Sequence, residues 1–98
     1  MNEKSREYFA SLNGGHPPAG LEPPLTAVWH GLRQDWNLAH SIVQDHDDAD
    51  SAWVHAWLHR IEGDLGNAGY WYRRAGKPAA TGDTRKEGEA IAHSLLGD

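Results

Sequence analysis

Ala56-Trp57-Leu58-His59-Arg60-Ile61-Glu62-Gly63-Asp64-Leu65-Gly66-Asn67-Ala68 is the stretch that decides the fold. Its first half is rich in apolar residues. Gly63 then suits the left-handed backbone that ends a helix, and the Asp64 carboxylate can accept from N–H groups two or three residues ahead, which starts the next one. Working backwards, Ala52, Trp53 and Val54 extend the first helix and leave it apolar around most of its circumference, as expected of an element packed on two sides. Working forwards, Leu65, Ala68, Trp71, Tyr72 and Ala75 give the second helix an apolar face, and Gly76-Lys77-Pro78 stops it. The pattern predicts a helical hairpin with an acid-capped turn.

The same plan recurs upstream. A shift of about 29 residues, within the range of helical repeats, superposes Ala27 on Ala56, His30 on His59, Asp35 on Asp64 and Ala39 on Ala68. Pro24 suits a first helical position, Leu25, Val28, Trp29 and Leu32 follow at helical spacing, Asp35 caps, and Trp36, Ala39, Ile42 and Val43 face the core. Alanines at matching places let paired helices approach closely.

On these residues the chain resembles the tetratricopeptide repeat and its Sel-like relatives, with Ala56, Ala68, Tyr72 and Ala75 at the small and aromatic positions and Gly63 through Ala75 close to the Sel-like style. In the first unit Ala27, Ala39 and Val43 fit, while His46 replaces the last small residue. The chain also resembles small microbial proteins carrying the elements His59-Arg60-Ile61-Glu62-Gly63-Asp64 and Tyr70-Trp71-Tyr72-Arg73-Arg74-Ala75-Gly76. The resemblance implies a fold and, by analogy, a groove that binds other proteins; it implies no activity.

The remaining segments are read as covers. Glu3 to Leu12 favours a short helix with Tyr8, Phe9 and Leu12 on one stripe, and residues 13–24 hold four prolines and three glycines, which predicts an extended strap. Near the other end Thr84 and Glu87 match a capping box ahead of Ile91, Ala92, Leu95 and Leu96. The expected architecture is all-α and of one domain: an N-terminal helix and connector (1–23), a first hairpin (24–46), a second hairpin (47–76) and a C-terminal capping helix (77–98).

Composition narrows the function. The absence of cysteine removes disulfides, thiolate metal sites and cysteine nucleophiles, leaving histidine and carboxylate as metal ligands. A net charge of −5 argues against a phosphate-backbone binder, and no apolar run long enough for a membrane span occurs, so the expectation is a cytoplasmic protein that binds neither nucleic acid nor membrane.

His55, His59 and Glu62 fall at i, i+4 and i+7 on one helical stripe. Two imidazoles one turn apart can ligate a divalent metal, with the carboxylate as third ligand or general base. Against this stands the plain polar face of a helix, since no His-Glu-x-x-His pattern is present. His30 and His59 occupy equivalent places near helix ends, where imidazolium can meet free carbonyls; the alternative is a pocket shared with His40. The acidic loop Asp45 to Asp50 lacks the glycine and glutamate of a calcium loop and reads as a helix cap. Arg60, Trp71, Arg73 and Arg74 form a candidate surface for a partner or anionic ligand, against intramolecular pairing of the arginines with Glu62 or Asp64. The reading is therefore a protein-interaction module, self-associating or binding another protein, with no catalytic residue or cofactor assigned. Its alternative is a small metal-dependent or acid–base enzyme using the histidine stripe.

Overall fold

A computed structural model describes residues 1–98, in which six helices and no strands occur: α1 (Glu3–Ser11), α2 (Pro23–Leu32), α3 (Trp36–Val43), α4 (Ala49–Glu62), α5 (Leu65–Ala75) and α6 (Thr84–Leu95). The most extensive packing joins α4 to α5 and α2 to α3, so each acid-capped turn folds its two helices against one another. The local chemistry explains both turns. Gly63 sits at φ 86° and ends α4, after which the Asp64 side chain accepts from the Asn67 N–H. At the upstream turn the left-handed position falls to Gln34, φ 66°, and Asp35 accepts from the Leu38 N–H. The repeated alanines Ala27, Ala39, Ala56 and Ala68 are all buried.

The main core gathers Tyr8, Leu25, Val28, Trp29, Leu32, Val43, Val54, Trp57, Leu58 and Ile91 from α1, α2, α3, α4 and α6. Close approach shapes its centre. A Cβ added to Gly31 would lie 2.7 Å from the Trp57 ring, and one added to Gly88 would collide with the same ring, so α2 and α6 can clasp Trp57 only where both lack side chains. The Trp57 Nε1–H donates to the Thr84 carbonyl at 2.7 Å.

The covers are ordered by polar anchors as well as by burial. Tyr8 is buried and its hydroxyl donates to the Leu25 carbonyl at 2.7 Å, while Trp29 Nε1–H donates to Ser11 Oγ at 2.8 Å. The strap is held by Arg33, whose Nη1 donates to the carbonyls of Leu12 and Gly14, with its guanidinium 5.0 Å from the Trp29 ring. Two sequence expectations shift. α2 begins at Pro23, one residue earlier, and α6 is capped by Asp83, which accepts from the Arg85 N–H, rather than by a Thr84–Glu87 box. Glu87 is taken by a stronger partner: it receives Arg60 Nη1 at 2.5 Å and the Tyr72 hydroxyl, which ties α4, α5 and α6 together. No helix is long and apolar enough to cross a membrane.

Candidate metal centre

α4 carries His55 and His59 one turn apart, and α3 crosses beside it with His40 on its inner edge. The three rings converge. One ring nitrogen of each lies within 4.8 Å of those of the other two, and the Nε2 atoms of His40 and His55 face each other at 3.0 Å. Around an ion with metal–nitrogen bonds of about 2.0–2.1 Å, neighbouring nitrogens stand about 2.9 Å apart at right angles and about 3.3 Å apart in a tetrahedron. The His40–His55 separation belongs to that range. His55 is 5% and His59 6% exposed, while His40 is half-buried and gives the cluster its outward side.

Aromatic walls hold the rings. Trp36 stacks on His40 with centroids 4.7 Å apart and planes 9° apart, and Trp71 stacks on His55 at 4.0 Å and 14°. The local sequence places Trp36 one helical turn before His40 on α3, and its Nε1–H is satisfied by the Leu58 carbonyl at 2.6 Å. Trp36 also lines a cleft of about 310 Å³ together with Leu32, Trp57, Ile61 and Arg85.

Burial disfavours charge on His40 and His55. It lowers the pKa of His55 to about 4, with further depression from His40 and His59, and it lowers that of His40 with help from His59. Neutral imidazole is the form that binds a metal ion. Two Nε2 atoms at 3.0 Å need either one proton between them or a shared cation. The second nitrogen of His55, Nδ1, is buried without a hydrogen-bond partner.

His55, His59 and Glu62 share one stripe of α4, with Glu62 against His59 rather than beside both rings. The Glu62 Oε1 lies 2.6 Å from His59 Nδ1. His40 takes the third place in the nitrogen cluster. Glu62 and Asp64 do form a second potential ligand group with His59, although the Asp64 side chain is engaged in capping α5. His30 stands apart, its ring edge-on to Trp29 at 5.1 Å. The expected contact of His59 with helix-end carbonyls is replaced by the contact with Glu62, which lies within reach on the same helix.

Of the proposed partner surface, Arg60 is consumed internally by Glu87 and by the Gly82 carbonyl at 2.6 Å, rather than by Glu62 or Asp64. Trp71 is half-buried against His55, Arg73 is exposed, and Arg74 lies 5.3 Å from the Trp71 ring and donates to the Tyr70 hydroxyl at 3.1 Å. Within the acidic loop, Asp48 caps α4 by accepting from both the N–H and the hydroxyl of Ser51. Trp36 was legible only as part of an apolar face; its i, i+4 relation to His40 is the signal that points to stacking. Comparison with protein-family models, with curated proteins and with solved structures gives no match to this chain.

Proposed function

We propose that this protein binds a divalent transition-metal ion through His40, His55 and His59. The observation that carries the reading is the convergence of three imidazoles from two helices, with the His40 and His55 Nε2 atoms 3.0 Å apart. An all-nitrogen donor set suits zinc, nickel, cobalt or copper rather than calcium or magnesium, which prefer oxygen. Three protein ligands leave a coordination position for water or substrate, the arrangement used by hydrolytic metal sites. Tag-free, metal-free protein titrated with zinc or cobalt tests the reading. Binding of one ion per chain, a rise of Tm with metal concentration, and loss of both in H40A and H55A are expected; wild-type protein whose Tm is unmoved by any of these metals would remove it.

A second reading, binding of a protein or of a second copy, draws on the exposure of Leu65 (68%) and Tyr70 (44%) on α5 beside Ile61 at the end of α4. It takes the α2–α3 and α4–α5 pairs as tetratricopeptide-like units that present a face to a partner. Light scattering over a concentration series, with L65E as control, distinguishes a dimer from a monomer.

A further inference from the structure

We infer that Glu62 is a positioning residue for the metal centre, fixing His59 as a ligand through Nε2; the inference rests on the metal-binding reading above. His59 is 6% exposed and has two ring nitrogens. Only one of them can carry the proton in a neutral imidazole, and the neighbour of each decides which. Glu62 Oε1 lies 2.6 Å from Nδ1, and an ionised carboxylate only accepts, so the proton belongs on Nδ1 and the lone pair on Nε2. Without Glu62 the two tautomers would compete, and the fraction with a protonated Nε2 could not bind. A hydrogen bond from Nδ1–H to carboxylate also makes the imidazole a stronger donor.

Position supports the same role. Glu62 is one turn beyond His59 on α4, and its side chain is 38% exposed, so the carboxylate closes the outer side of the ring without itself being buried. His55 has no such partner, since its Nδ1 is unpaired and Trp71 instead holds its ring by stacking. His59 is thus the member of the trio oriented by an acid. The carboxylate that spacing alone suggests as a third ligand acts one bond further out, and His40 takes the inner place.

The test uses the full chain, with cobalt as the probe ion, in wild type, E62A and E62Q. E62A should bind cobalt about 10–100-fold more weakly while keeping its Tm without metal within a few degrees. E62Q, which retains an acceptor oxygen opposite Nδ1, should recover most of the affinity and the wild-type cobalt absorption spectrum. Long-range nitrogen–proton NMR of the metal-free protein should find the His59 proton on Nδ1 in wild type and distributed over both nitrogens in E62A. Unchanged cobalt affinity in E62A, or a wild-type His59 protonated on Nε2, would overturn the inference while leaving metal binding standing. If wild type binds no cobalt, zinc or nickel but shows the Nδ1–H tautomer, the metal reading has failed and the inference falls with it.

Discussion

His40 on α3 and His55 on α4 point their Nε2 atoms at one another across 3.0 Å, and burial lowers the pKa of both rings. The contact has a cost in acid. Below a pH of about 6.5 the unfolded chain takes protons on these imidazoles, whereas the folded chain resists until pH falls toward about 4 at His55.

Stability of the metal-free protein therefore falls as pH drops from 6.5 towards 4 and is level, as far as these groups are concerned, above 6.5. The His55 contribution should reach on the order of 2 kcal/mol, or roughly ten degrees of Tm in a domain this small. Thermal melts of wild type and H55N at pH 7.5 and 4.5 check it. H55N should lose less Tm over that interval, and equal losses would show that His55 does not resist protonation in the fold.

Glu87 is the knot of α4, α5 and α6. The Glu87 and Arg60 side chains are about 9% and 11% exposed, and E87A would leave the partly buried guanidinium without its counter-charge. A loss of about 2 kcal/mol is expected in urea unfolding. Y72F, which removes only a hydroxyl donor, should lose about 1 kcal/mol, and the Y72F/E87A double variant should lose less than the sum.

Gly88 faces the Trp57 ring at a distance that excludes a methyl group. G88A should destabilise by about 2 kcal/mol even though alanine favours helix, because packing outweighs the roughly 1 kcal/mol gained in propensity. Shifted Trp fluorescence with a lower urea midpoint is the expected pair of readouts. A midpoint higher than wild type would mean that α6 stands further from α4 than described.

The cap at Asp48 offers a control for the candidate metal centre. D48A removes an acceptor used by the Ser51 N–H and hydroxyl, at the opposite end of α4 from His59, and should lower stability by about 1 kcal/mol. Zinc affinity measured by calorimetry well below Tm should be unchanged. A large fall in affinity would show that helix fraying reaches the histidines.

The turns were legible in the sequence because each depends on one or two adjacent residues. Gly63 with Asp64, and Asp35 before Trp36, specify their geometry locally. The periodicity likewise marks the buried alanines. Two of the three histidines of the candidate centre were legible for the same reason, since His55 and His59 share one helix and their relation is fixed by its pitch. His40 is 15 residues from His55, and its contact depends on how α3 crosses α4, which no local pattern encodes. Glu87 was misread for a related reason: a capping box is a short-range pattern, while Arg60 and Tyr72 reach it from 27 and 15 residues away.

The histidine trio draws on both halves of the molecule, His40 from the α2–α3 pair and His55 with His59 from the α4–α5 pair. Neither half holds the complete set, so tight ion capture would act as a rivet that reports their docking. A chain caught with its two pairs separated would offer α4 alone as a weak, two-toothed grip. Occupancy would then measure how far assembly has gone.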